Sequence, residues 1–232
     1  MSGRHIRIRS STGGGEFDCY LALPAGDAKT PAVVLASAVH GVNADIRGIA
    51  DAFAAKGYIA AAPDLFWRTL PGPLPREDER AGQRSQPRLP VIKAGETDIA
   101  DTLAMVRKLP LYNGKAATMG FCFGGPYAVI GPKRLGFDAG IGCHSTQMKD
   151  FLHEFDGLEK PVCLVWGDQD FAAPPEVLQA YTERARQQHN LQVHVFPGVQ
   201  HGYMMRENAK AWSPPTYEFT MGKALEILSS LR

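Results

Sequence analysis

The sequence carries few of the features that mark a specialised class of protein. Cysteine is scarce and scattered: Cys19, Cys122, Cys143 and Cys163 are the four in 232 residues, and no CxxC pair occurs. That spacing excludes a zinc ribbon or a thioredoxin-type redox pair, and reduced thiols are the expectation. A surplus of one charge is missing too, since 25 Lys+Arg against 24 Asp+Glu leave a formal +1. A nucleic-acid binder needs a basic footprint that this balance does not supply. Long hydrophobic runs are absent; the most apolar stretch, Pro31–Val39, is far short of the roughly 20 residues that span a bilayer. The first residues, Met1–Arg9, carry charge with no apolar stretch behind it, so no signal peptide is expected and a cytoplasmic location is. The seven histidines include no HExxH and no paired metal-ligand spacing, so no metal is expected. A globular protein remains, expected as one domain over residues 1–232 and as a monomer or small homo-oligomer.

The pattern that is present alternates between two periods. Ile6 and Ile8, then Asp18–Leu23, alternate as strands do, and Gly13-Gly14-Gly15 between them suits a hairpin. Ala32–Ala36 is continuously apolar, as expected of a strand covered on both faces. Ile46, Ile49, Ala50, Phe53 and Ala54 recur at helical spacing, with Gly57 as the stop. The same alternation predicts strands at Tyr58–Ala62, Ala116–Met119, Asp138–Cys143, Val162–Trp166 and Leu191–Phe196. Helices are expected around Ile99–Val106, Gly124–Ile130, Pro175–Gln188 and Tyr217–Leu231. Strands interleaved with helices predict an α/β fold with a mostly parallel central sheet covered by helices on both faces. Phe66–Pro90 breaks the rhythm with five prolines and reads as a possible lid. Within it Arg76, Arg80, Arg84 and Arg88 fall four apart, so a helix there would carry them in one row. Such a row is either a solvated face or a reach over the active site toward an anionic substrate.

One motif carries chemistry. Gly120-Phe121-Cys122-Phe123-Gly124-Gly125 lies between an apolar strand and a helix, the G-x-nucleophile-x-G pattern of a nucleophile elbow with cysteine as the nucleophile. The turn would put Cys122 at a helix N-terminus, which favours thiolate, and would aim the Phe123 N–H at a developing oxyanion. Acid and base should follow in chain order. Gly167-Asp168-Gln169-Asp170 ends one predicted strand and Gln200-His201 follows the next, so all three groups reach the carboxyl edge of the sheet. Of the two carboxylates, Asp170 is the expected partner of His201, and Asp168 the expected turn residue. His40 and His144 also follow strand ends and are expected near the pocket without a catalytic role.

These residues give the chain a family likeness. His40-Gly41-Val42-Asn43, Gly57-Tyr58, Pro63-Asp64-Leu65, Asp78-Glu79-Arg80, the Cys122 elbow and the Asp170 and His201 loops resemble the dienelactone hydrolases, a cysteine-nucleophile branch of the α/β-hydrolases. The resemblance implies an α/β-hydrolase fold and a carboxylic ester hydrolase acting on a small lactone or ester without a cofactor. Its implied triad is Cys122, Asp170 and His201, with backbone donors at Phe123 and Val39. Arg80 and, offset by one residue, Arg206 look like the arginines that hold a substrate carboxylate in that family. One departure stands out: Ala38 occupies the position where better-known members carry a glutamate beside the resting cysteine. Two other readings follow from the same residues: a promiscuous esterase or thioesterase with this triad, and a small-molecule binding protein on a hydrolase scaffold that no longer turns over.

Overall fold

The apolar run at residues 32–36 becomes the middle of a sheet because its side chains divide between two cores. In the computed structural model, which describes residues 3–232, Val33 and Leu35 pack into one core and Ala32, Val34 and Ala36 into the other. Met1 and Ser2, from the segment read above as lacking a leader, lie outside the described residues. In chain order the elements are β1 (Arg4–Arg9), β2 (Glu16–Ala22), β3 (Thr30–Ala36), α1 (Ala44–Ala55), β4 (Ile59–Pro63), α2 (Arg80–Gln83) and α3 (Arg88–Val106). They continue with β5 (Tyr112–Phe121), α4 (Tyr127–Arg134), β6 (Ala139–Cys143), β7 (Val162–Gln169), α5 (Pro175–Gln187), β8 (Leu191–Gln200) and α6 (Pro214–Ser230). The strands form one eight-stranded sheet in the order β1-β2-β4-β3-β5-β6-β7-β8. The N-terminal hairpin pairs antiparallel, and β2 also meets β4 antiparallel; every pairing from β4 through to β8 is parallel. This is the α/β-hydrolase arrangement that the sequence predicts.

Local chemistry sets the ends of the elements. Asn43 caps α1 by accepting the Ile46 N–H at 3.2 Å. The face predicted for α1 (Ile46, Ile49, Ala50, Phe53, Ala54) is the one it buries. Gly57, at φ +88°, ends that turn in the left-handed region where a side chain would be strained. The helix read from Ile99, Leu103 and Val106 starts eleven residues earlier, at Arg88. Pro90 falls in its first turn, where the missing N–H has no partner to lose, so this proline does not break the helix.

The arginine row does not form. Only Arg80 of the four lies within α2, which is four residues long, while Arg76 precedes it, Arg84 caps its end and Arg88 opens α3. Arg84 is buried and ties the irregular segment down: its Nε donates to the Val39 carbonyl at 3.0 Å, and its Nη1 to those of Leu70 and Gly72 at 2.7 and 2.6 Å. Its guanidinium also lies 4.2 Å above the Phe66 ring.

Helix α4 presses onto β6 so closely that β6 is built from small residues. A Cβ at Gly140 would lie 1.6 Å from the carbonyl oxygen of Ala128. Gly140→Ala is therefore expected to cost about 2–3 kcal/mol, because the obstacle is backbone that cannot rotate away. A thermal unfolding curve indistinguishable from wild type would contradict this packing. Among the described residues, no helix is long and apolar enough to cross a membrane.

Candidate active site

Each chemical group of the site is delivered by the carboxyl end of a strand. Cys122 follows β5 directly and has φ +52°, the left-handed conformation expected of an elbow. The flanking glycines are required by contact. A Cβ at Gly120 would meet the Gly124 carbonyl oxygen at 2.1 Å, and one at Gly124 would meet the Ala36 carbonyl oxygen at 2.1 Å. A 3₁₀ turn at Cys122–Gly124 leads into α4, so that helix begins at Tyr127, later than the sequence suggests. The Cys122 carbonyl oxygen accepts the Thr146 N–H at 3.0 Å and the Thr146 hydroxyl at 3.2 Å, which fastens the elbow to the turn after β6.

The choice between two carboxylates is made by register. Between Gly167 and Gln169 the β7–β8 pairing shifts, and Gln169 then sits opposite Gln200. The next residues, Asp170 and His201, are brought side by side. Gly167 permits the shift, since a Cβ there would lie 1.8 Å from the Val199 carbonyl oxygen. Asp168 is exposed, and its Oδ1 accepts the Gly198 N–H at 2.7 Å, bracing the carboxyl ends of the parallel β7–β8 pair against each other. Asp170 is 3% exposed, and its Oδ1 lies 2.8 Å from His201 Nδ1 while also accepting the Ala172 N–H at 2.8 Å. With Nδ1 so engaged, the other ring nitrogen of His201 is left for the thiol.

Electrostatics separates Cys122 from the other cysteines. Burial pushes the thiols of Cys19, Cys143 and Cys163 up, that of Cys163 to about 12. Burial acts on Cys122 in the same sense, but the charge and hydrogen bond of His201, then Arg88 and the Phe123 N–H, outweigh it and leave the thiol below its ordinary value. His201 moves the opposite way. Burial disfavours its charge, yet the sulfur and Asp170 together hold its pKa well above the usual histidine range. The two directions are opposite, and each favours the charged form of its group beside the other.

The pair opens into a cavity of about 250 Å³ lined by, among others, Ala38, Val39, Arg76, Arg88, Thr146 and Phe171. Phe171 is 83% exposed, and its ring centroid stands 4.8 Å from that of His201. His144 also lines the cavity. It is 1% exposed, has φ +38°, and packs its ring edge-on against His201 at 4.9 Å and Tyr203 at 5.3 Å. Burial, then the charge of His201, hold it well below the ordinary histidine value, so it stays neutral beside Cys122 and His201.

The sequence reading places Cys122, Asp170, His201, Phe123, Val39 and Ala38 at one edge, and the structure brings them together there. It does not bring Arg80 or Arg206. Arg80 is exposed and doubly bonded to Asp78, with Nη2 2.6 Å from Oδ2 and Nε 2.9 Å from Oδ1. Arg206 lines a different cleft with Asp45, and its guanidinium lies 5.4 Å from the rings of both Trp212 and Tyr217. The arginines that reach the cavity are Arg76 and Arg88, which belong to the same spaced set but were not singled out by it. Replacing Arg80 or Arg206 with Ala is accordingly expected to change KM for an anionic ester less than about twofold, as for other solvent-screened charges. A tenfold rise in either variant would return those residues to the substrate.

A sharp strand-to-helix turn at Cys122 at the edge of a mostly parallel sheet, with Asp170 and His201 following later strands, is the arrangement of the α/β-hydrolase fold. The match to the dienelactone hydrolase family model covers residues 17–226, and the chain belongs to that family. It is 29% identical over 222 residues to the carboxymethylenebutenolidase of Pseudomonas putida, covering 94% of this chain and 93% of that protein. It is 26% identical over 230 residues to carboxymethylenebutenolidase 1 of Cupriavidus pinatubonensis, covering 96% and 95%. Among solved structures, a dienelactone hydrolase-like promiscuous phosphotriesterase from metagenomic libraries superposes with TM-score 0.79 at 16% identity, covering 100% of this chain and 99% of that one. The dienelactone hydrolase of Anabaena variabilis gives 0.70 at 14% identity, covering 99% of each chain. The protein is thus a hydrolase of carboxylic esters or lactones.

Proposed function

We propose that Cys122, His201 and Asp170 act as a catalytic triad that cleaves a small lactone or ester through a thioester on Cys122. The observation that carries this reading is the alignment of three groups on one sheet edge, with His201 bonded to buried Asp170 on one side and facing the thiol on the other. In the first step the Cys122 sulfur attacks the carbonyl carbon and the C=O electron pair moves to oxygen. The backbone N–H groups of Phe123 and Val39 receive that oxyanion, each worth roughly 3–4 kcal/mol in hydrolases of this kind. His201 gives its proton to the departing alkoxide, leaving the thioester. It then takes a proton from water as the water attacks, and returns that proton to the sulfur as the acid leaves. Asp170 holds the ring in the required tautomer throughout. The chain acts as a single domain with residues 66–90 bordering the cavity, and its four free cysteines suit a cytoplasmic setting.

A second reading keeps the triad and changes the substrate. Arg80 and Arg206 lie off the cavity, and Phe171, Met205 and Val39 offer it an apolar wall. Uncharged esters or thioesters suit that wall. A panel of neutral and carboxylated lactones and esters distinguishes the readings by kcat/KM. A preference of tenfold or more for the carboxylated members supports the lactone reading, and equal rates support the esterase. A binding protein on this scaffold would hydrolyse none of them, and that result would overturn both.

A further inference from the structure

The charges facing the Cys122 sulfur come from several elements. His201 approaches from the loop after β8, with Asp170 behind it on β7's side. Arg88 comes from the first residue of α3 and Arg76 from the irregular segment before α2; His40 follows β3 and His144 follows β6. The two latter histidines are neutral. His40 is held below its ordinary value by burial and then by Arg76, and His144 by burial and then by His201. None of the residues lining the cavity is an aspartate or glutamate, and Ala38 stands where the family resemblance would put one.

Arg88 is the unexplained member of this set. Among the described residues it takes part in no ion pair, and its Nη1 is buried without an acceptor. Its guanidinium lies 5.6 Å from the centroid of the Phe123 ring, the residue directly after the nucleophile. Arg76 is exposed, so water screens its charge far more effectively. A guanidinium nitrogen stripped of water and left unpaired costs stability unless an anion completes it. The anion this chain itself supplies to the cavity is the sulfur of Cys122.

We propose that Arg88 is a positioning residue of the reaction, the fixed counter-charge that keeps the Cys122 sulfur ionised in the free enzyme. The inference rests on the triad reading above. Ionisation moves the Sγ proton to the free ring nitrogen of His201, giving thiolate and imidazolium; no other reactant is needed. Arg88 then stabilises the sulfur from across the shared cavity, and Ala38 leaves that field unopposed. In a site carrying glutamate at this position, the carboxylate would favour the neutral thiol.

The test uses iodoacetamide, a neutral reagent that reports on the sulfur without any substrate. Its rate of reaction at Cys122, assigned by mass spectrometry of the tryptic peptide, is followed against pH for wild type, Arg88→Met, Arg88→Gln, Arg88→Lys and Ala38→Glu. The midpoint should rise by about half to one pH unit in Arg88→Met and Arg88→Gln, less than for a fully buried charge pair. Arg88→Lys should return most of the way to wild type, and Ala38→Glu should move the midpoint upward as well. A midpoint unmoved by loss of the guanidinium, with wild type still reacting below the free-thiol value of about 8.5, overturns the role of Arg88 and leaves the triad standing. An unmoved midpoint with a raised KM confined to anionic esters also overturns it, assigning Arg88 to the substrate instead. A wild-type midpoint at the free-thiol value would instead remove the thiolate–imidazolium pair on which the inference depends.

Discussion

Cys122→Ala is expected to lower kcat by about 10⁴–10⁶-fold on any ester the enzyme hydrolyses, with a circular dichroism spectrum like that of wild type. The reasoning is structural as much as chemical. Cys122 holds φ +52° between two glycines that admit no side chain, so alanine inherits the strained turn but carries no nucleophile. His201→Ala should be comparably damaging, because the sulfur then loses both the group that takes its proton and the group that returns it. The double variant should be scarcely worse than either single one, since the members act as a unit. A Cys122→Ala enzyme within tenfold of wild type would mean that water, not sulfur, attacks the substrate.

The second large effect separates two carboxylates that lie two residues apart. Asp170→Asn should reduce kcat by about 10³–10⁴-fold, because an amide facing His201 Nδ1 no longer enforces the tautomer that leaves the other nitrogen basic. Asn can still accept the Ala172 N–H that Asp170 Oδ1 receives at 2.8 Å, so the loop itself should survive. Asp168→Asn should stay within a few-fold of wild type, since its one bond, to the Gly198 N–H at 2.7 Å, also survives the change. Steady-state kinetics on the two purified variants decides the matter; equal losses would contradict the assignment of the catalytic carboxylate to Asp170 over Asp168.

The sequence made this carboxylate choice legible only in outline. It shows that both aspartates end a strand and that His201 follows the next one. The shift between Gly167 and Gln169 that seats Gln169 opposite Gln200 is a matter of pairing between chains of residues, and nothing in either strand alone specifies it. The elbow was easier to read. Glycine, nucleophile and glycine between an apolar strand and a helix encode a steric requirement that is purely local, and the contacts at Gly120 and Gly124 are that requirement realised. The parallel sheet was legible for the same reason, since period-2 and helical repeats are local signals.

What escaped the sequence depends on long-range packing. Arginines four apart suggest a helical row, but cation–carbonyl bonds pull Arg84 into the segment, Asp78 holds Arg80 at the surface, and Arg88 is left lining the cavity. His144 could be placed near the pocket from its position after β6. Its contact with His201, and the absence of a hydrogen-bond partner on either ring nitrogen, depend on side chains from β8 and the turn that follows it. Arg206 is singled out by family likeness, offset by one residue; the loop instead turns it toward Trp212 and Tyr217.

The central claim is that the sulfur of Cys122 becomes acylated, and rapid quenching in acid followed by mass spectrometry observes that intermediate directly. Wild-type enzyme mixed with excess p-nitrophenyl acetate should release a burst of p-nitrophenol equal to the enzyme concentration. The quenched protein should carry one acetyl group on the peptide that contains Cys122, lost on treatment with hydroxylamine. Turnover without a burst, with every cysteine unmodified at quench, would contradict the account.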